Sequence, residues 1–219
     1  MTEKPKRRYI PALDYDWLTP AYDALIRLTM PERAFKRRLV AQADVRAGQA
    51  VLDLGCGTAT LTIMAKRAHP DATVVGLDPD PKILAIAARK VSQAGVDVAL
   101  RRGTATELPF PDGSFDRVLS SLVFHHLTPE DKRRALAECL RVLRPAGGLH
   151  VADWGRPQDP LMWLTSWSVR LFDGPQTTRD NVAGRLPELV REHGFADVAE
   201  TARFRTVFGT LTLLRGTKR

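Results

Sequence analysis

Between residues 50 and 152, short apolar runs alternate with longer stretches that carry apolar side chains at helical spacing. No other feature restricts the chain so tightly. Residues 50–54, 73–77, 96–100, 115–122 and 149–152 read as strands, short and mostly apolar. The helical stretches include 61–68 and a segment opened by Pro81 and continued from Ile83 to Val91. Another starts at Thr128-Pro129-Glu130-Asp131, a capping residue followed by acids in the first turn. It runs to about Leu143, where Pro145 and Gly147-Gly148 stop it. Strands joined by such helices call for a parallel sheet covered on both faces. The expected fold is therefore α/β, a Rossmann-like doubly wound sheet. Residues 198–204 and 206–214, with only Arg205 between them, predict an antiparallel pair at the sheet edge. The sheet is thus mostly parallel with an antiparallel edge strand.

A chain of 219 residues accommodates one such domain with decoration. Residues 1–46 are expected to form an N-terminal extension with lid helices. Residues 47–219 form the main domain, with a helical insertion at about 154–194. The flanks hold Tyr9, Tyr15, Trp17, Tyr22, Trp154, Trp163, Trp167 and Phe172, which either cover a pocket or pack helices onto the sheet. No apolar run approaches the roughly 20 residues that span a bilayer. No apolar core follows Lys4, Lys6, Arg7 and Arg8, so a cytoplasmic location is expected. Cys56 and Cys139 read as reduced and structural, too few for a cysteine-rich metal site. The net charge of +8 comes from bases scattered among acids, which favours a solvated surface. No RNA-binding motif supports a nucleic-acid partner.

The first strand runs straight into Gly55-Cys56-Gly57-Thr58. Glycines permit a tight turn and close approach of a ligand to the backbone. The helix starting near Thr58 offers free N–H groups to a phosphate or to the carboxylate of an amino-acid-like ligand. The next strand ends at Asp78, where a carboxylate can bind both hydroxyls of an adenosine ribose. Dinucleotide enzymes share this geometry. Three features tilt the reading away from them. Thr60 replaces the third glycine of G-x-G-x-x-G, Asp53 sets a fixed anion beside the loop, and no P-loop sequence is present. An anion at Asp53 opposes a pyrophosphate yet can receive an ammonium group, directly or through water.

The run Val51-Leu52-Asp53-Leu54-Gly55-Cys56-Gly57-Thr58 resembles the first motif of class I S-adenosylmethionine-dependent methyltransferases, and Gly76-Leu77-Asp78 the second. Leu108-Pro109-Phe110-Pro111-Asp112-Gly113-Ser114-Phe115-Asp116-Arg117-Val118, His125-His126-Leu127 and Arg141-Val142-Leu143-Arg144-Pro145 are similar to motifs of its ubiquinone/menaquinone-biosynthesis-type branch. The likeness covers about 48–153 in register and the flanks more loosely. It implies S-adenosyl-L-methionine as cofactor and Asp78, with Pro79 beside it, as the ribose site. It places Gly103, Thr104 and Ala105 at the adenine and Ser120, Ser121 and Leu122 beside the methionine portion. It also implies Tyr22 as a tyrosine closing over the cofactor. Thr104 stands where an acid is common. Ala59 and Ala146 replace frequent glycines, which is tolerable if φ there is negative.

Such a cofactor carries an already activated methyl group, so the protein's task is alignment and exclusion of water. His125 and His126, after the fourth strand, are candidates for a base or substrate ligand, or pack locally. No ligand set for a metal accompanies them. Asp153 ends the fifth strand and either orients an acceptor or caps the next segment. Asp112 and Asp116 read as structural, and Cys56 as a loop-packing residue. The acceptor implied by the aromatic flanks is small and apolar or aromatic. A phospholipid amine is the alternative within the class, with peripheral membrane contact. An NAD-dependent oxidoreductase and a non-catalytic cofactor-binding protein are the alternatives outside it.

Overall fold

The computed structural model describes residues 32–173 and 175–219. In chain order these form α1 (Glu32–Ala43), β1 (Ala50–Leu54), α2 (Thr60–Ala68), β2 (Thr73–Asp78), α3 (Pro81–Ala94), β3 (Ala99–Arg102) and β4 (Phe115–Ser121). A 3-10 turn at Phe124–His126 precedes α4 (Pro129–Val142) and β5 (Leu143–Trp154). Then come α5 (Pro160–Asp173), α6 (Pro175–Val182), α7 (Leu186–Glu192), β6 (Phe195–Thr206) and β7 (Gly209–Lys218). Tyr9, Tyr15, Trp17 and Tyr22 lie outside the described residues.

The expected caps are in place. The Asp80 side chain accepts from the Lys82 N–H at 2.8 Å, with Pro81 following, and left-handed Gly95 closes α3. Thr128 accepts from the Asp131 N–H at 3.1 Å. The start of α2 has no side-chain cap and passes instead through Ala59 at φ 62°. Ala146 also has φ 62°. The negative φ that made these two alanines tolerable is absent at both. Each methyl therefore sits in the left-handed region, which costs an L-residue about 1–2 kcal/mol.

The seven strands order as β3-β2-β1-β4-β5-β7-β6. The pairs from β3 to β5 are parallel, and β7 runs antiparallel to both β5 and β6. The crossover from β3 back to β4 puts the switch point beside β1, where ligands bind such sheets. Phe115, Val118, Leu136, Cys139, Leu149, Leu189 and Leu214 pack one face. Phe35, Leu39, Val51, Leu61, Leu119, Ala152, Leu211 and Leu213 pack the other, under α1 and α2.

Several boundaries differ from expectation, three of them for a clear reason. β3 lies at 99–102 because its pairing with β2 sets Arg102 opposite Asp78. β5 begins at Leu143, since Leu143 pairs with Phe115 and a register shift absorbs the Pro145–Gly147 stretch. The β6–β7 turn falls at Val207-Phe208, leaving Arg205 inside β6. Asp116 accepts from the Ala50 N–H at 2.8 Å and from Arg144 at 2.6 Å, at the end of the sheet away from the glycine loop. Arg141 ties Asp112 and the Leu108 and Phe110 carbonyls to α4.

Candidate active site

The loop after β1 is fixed to its neighbour before it meets any ligand. The Gly55 and Cys56 N–H groups both donate to the Leu77 carbonyl, at 2.8 and 2.9 Å. Gly55 has φ 70°, and a Cβ there would fall 2.4 Å from a Val123 methyl. Its glycine is thus required by the fold twice over. Gly57 has φ 52°, but no atom lies within 4 Å of a Cβ placed on it. It forms an open cradle, and its N–H donates to Asp78 Oδ2 at 3.0 Å. Asp78 Oδ1 accepts from the Asp80 N–H at 3.0 Å. Burial raises the Asp78 pKa, and these two donors oppose the rise. Each oxygen retains a lone pair for a further donor such as a ribose hydroxyl.

Asp53 is buried and accepts from the Thr62 hydroxyl at 2.6 Å. Burial pushes its pKa up to about 6, against the Thr62 bond and the Lys36 charge. An arriving ammonium group would favour the ionised form. Cys56 fills the space between the loop and Gly76, where its sulfur would lie 3.0 Å from an added Cβ. Burial, then Asp53 and Asp78, push the thiol pKa upward, so Cys56 is a packing residue and not a nucleophile.

At the third strand's end the Gly103 N–H donates to the Asp78 carbonyl at 3.2 Å, and Arg102 reaches the Pro79 carbonyl. Gly103 is close-packed, since an added Cβ would meet Leu77 and Pro109 at 2.9 and 3.0 Å. The Thr104 and Thr106 hydroxyls lie 3.3 Å apart, and Ala105 packs against the core. At the end of β4 the Ser120 and Ser121 hydroxyls are buried with no protein partner. Leu122 follows at φ 61°, held by its N–H on the Ala152 carbonyl at 2.8 Å. Orphaned hydroxyls, strained backbone and an open glycine cradle converge at one mouth, and they fit a polar ligand with ammonium, hydroxyl and carboxylate groups.

His125 and Asp153 come together at the same end. Asp153 is buried, and its Oδ2 accepts from the Val123 and Phe124 N–H groups at 3.2 and 2.8 Å. Oδ1 accepts from the Trp154 N–H at 2.7 Å and faces His125 Nδ1 at 2.8 Å. Burial alone would raise the Asp153 pKa, but the His125 ring and these donors outweigh it and the pKa is lowered. An ionised carboxylate only accepts, so the proton in this contact is carried by His125 Nδ1. Asp153 thus holds the 3-10 turn that follows β4 and orients a histidine, where the sequence suggested an oriented acceptor or a cap on the segment after β5. The His126 ring lies 3.9 Å from that of His125. Burial, and then His125, push its pKa down to about 3, so His126 is neutral at physiological pH.

Trp154 is buried against His125 and Phe208, with ring centroids at 6.1 and 6.5 Å. Trp163 and Trp167 instead stand exposed on α5, edge to face at 5.9 Å. Two buried groups beside Asp153 escaped the sequence reading. Asn181 on α6 and Thr212 on β7 line a small cavity with it, and neither side chain has a protein partner. No motif marks them; Thr212 is the partner of Asp153 across the β5–β7 pair, and the packing of α6 over the 3-10 turn brings Asn181 there. Among the described residues, no cluster of three or more His, Cys, Asp or Glu could hold a metal ion. Nor is any described helix long and apolar enough to cross a membrane.

Comparison with known proteins agrees with this geometry. A methyltransferase domain family matches residues 51–147. A demethylmenaquinone methyltransferase of Thermus thermophilus is 40% identical over 142 residues, which span 64% of each chain. One of Lactiplantibacillus plantarum is 36% identical over 168 residues, covering 72% of this chain and 70% of the relative. Among solved structures, a methyltransferase of Bacillus halodurans is 18% identical with TM-score 0.68, covering 84% of this chain and 98% of that one.

Proposed function

The chain belongs to the class I S-adenosylmethionine-dependent methyltransferases of the ubiquinone/menaquinone-biosynthesis-type branch, and from that premise we propose that it methylates a quinol-like aromatic ring. The curated relatives' names motivate this acceptor. The observation that carries the reading is the His125–Asp153 pair beside the glycine loop. Asp53, Gly55, Gly57, Asp78, Pro79, Gly103, Thr104, Ala105, Ser120 and Ser121 would hold S-adenosyl-L-methionine. When bound there, the cofactor supplies an activated methyl group.

The chain's own contribution is positioning and proton management. Asp153 holds the His125 ring so that Nε2 can accept a proton from a ring hydroxyl, which makes the ring carbon more nucleophilic. Trp154 and Phe124 supply apolar surface, and the packed α6 helix limits water. Residues 154–194 serve as a lid in this reading, while α1 packs into the core on one face of the sheet. Labelled methyl transfer into a demethylated quinol, compared with its oxidised quinone and with phosphatidylethanolamine, tests it. Incorporation into the quinol alone is expected. Incorporation into the lipid amine overturns the acceptor, and none into any acceptor returns the chain to a non-catalytic binding protein.

We also infer contact with an anionic bilayer surface, where such an acceptor dissolves. On α5, Leu161, Trp163 and Leu164 are 55%, 53% and 62% exposed while Met162 and Ser166 turn inward. Val207 on the adjoining turn is exposed too. This apolar face on a chain of net charge +8 suits anionic lipid. Sedimentation with phosphatidylglycerol vesicles at low salt should capture the protein, and Trp163→Ser with Leu164→Ser should release it. No capture of the unaltered chain disposes of the inference.

A further inference from the structure

At the end of the sheet opposite the mouth lies a cleft of about 300 Å³, large enough for a small ligand. Gln42, Asp44, Arg117, His150, Asp197 and Arg215 line it. It is a built site. The Thr201 hydroxyl donates to Gln42 Oε1, which identifies the amide nitrogen. That nitrogen donates to the Leu214 carbonyl at 3.0 Å and to His150 Nδ1 at 3.2 Å. His150 therefore carries its proton on Nε2. The ring is 6% exposed, and burial with the Arg117 and Arg215 charges keeps it neutral, its pKa pushed down to about 3. Among the described residues nothing accepts the Nε2 proton. The ring's place depends on Gly148, where a Cβ would lie 2.6 Å from Nε2.

Two guanidinium groups accompany this donor. Arg117 is fixed on the Ala43, Asp116 and Asp44 carbonyls at 2.6, 2.9 and 3.3 Å. Arg215 stands opposite His150 on β7, exposed, with no ion pair among the described residues. Asp44 and Asp197 are exposed at the rim, so the buried His150 and half-buried Arg117 donors lie inside an acidic margin. Of the five non-glycine residues with positive φ among the described residues, Asp44, Ala146 and Asp197 all line this cleft. Such strain gathers where function holds the backbone.

We propose that this cleft is a second binding site, for a phosphate dianion either free or at the end of a small metabolite. The inner donors match an oxyanion's acceptors. The acidic rim disfavours an extended polyanion such as nucleic acid. Bound there, the anion would pin the end of α1 to β7.

Inorganic phosphate and glycerol 3-phosphate, each titrated into protein carrying nitrogen-15 histidine, test the site by the His150 Nε2 resonance. A saturable shift at millimolar ligand is expected, with the tighter of the two identifying the free or esterified form. Arg215→Gln should weaken it by about tenfold or more, the worth of one charge-assisted bond. The same variant should bind S-adenosylhomocysteine as before, which separates this result from any failure of the methyltransferase site. The proposal is overturned by no saturable shift at His150, by an equal response in Arg215→Gln, or by shifts confined to the Gly57 loop.

Discussion

Replacing Gly55 and Gly57 separately by alanine should split the loop's structural duty from its binding duty. At Gly55 the left-handed φ alone costs about 1–2 kcal/mol. The new methyl would also lie 2.4 Å from one Val123 methyl and 3.3 Å from the other. Overpacking of that kind adds about 1–3 kcal/mol, for a total of about 2–5 kcal/mol. In a chain of this size that lowers Tm by about 10 °C. At Gly57 only the backbone term remains, so Tm should fall by about 4 °C. Its methyl would instead project into the open cradle above Asp78, and S-adenosylhomocysteine affinity should fall by about tenfold or more. Calorimetry measures both quantities on the same samples. Val123→Ala placed in the Gly55→Ala background removes the clashing methyls, and a double-mutant cycle should give a coupling of about 1–3 kcal/mol. A coupling below about 0.5 kcal/mol, or an equal loss of Tm in the two glycine variants, would refute the assignment.

Asp53 predicts a pH signature. Its folded pKa, raised from 3.8 to about 6, adds stability that is fully present below the unfolded value and lost as pH rises through about 6. That window is worth about 3 kcal/mol. His126 and His150, both depressed to about 3, act oppositely: their stability is present above the unfolded 6.5 and is lost as pH falls. The wild-type curve should therefore rise with pH, and that of Asp53→Asn should rise more steeply between pH 4 and 6; parallel denaturation curves would contradict the burial effect. Asp153→Asn should cost about 3–5 kcal/mol, because an amide turns a donor toward N–H groups that a buried carboxylate now satisfies. Wild-type stability in that variant by urea denaturation would show the network to be dispensable. Ala146→Gly, at an exposed residue with φ 62°, should raise Tm by about 2 °C; an unchanged or lower Tm by scanning calorimetry would count against strain at that position.

The parts of the site legible in the sequence are those encoded locally. Gly55, Gly57 and Asp78 sit where a strand ends and a helix begins, so backbone chemistry alone marks them. Thr128, Asp80 and Pro81 announce their helices in the same way. What stayed hidden depends on partners distant in the chain. Pro145 and Gly147 end α4 as expected, yet pairing of Leu143 with Phe115 draws the strand back across them. Arg101 and Arg102 carry no apolar signal, and β3 exists there because β2 offers an edge. The sign of φ at Ala59 and Ala146 is likewise set by the turn and not by the side chain. Asn181 meets Asp153 only after α6 folds over the 3-10 turn, Thr212 only once β7 pairs with β5, and neither residue type announces such a meeting.

The order β5-β7-β6 has a consequence for how the molecule is made. Residues 209–218 follow every other strand in the chain, yet they occupy an interior place in the sheet. Until they emerge from the ribosome, β5 presents an open edge over residues 148–154 and β6 has nothing to pair with. The nascent protein therefore carries this unpaired hydrogen-bonding edge until the last strand of the sheet is made. Pausing or truncation near residue 208 would leave that edge open to a neighbouring chain, so aggregation during expression should respond sharply to the final ten codons of the sheet.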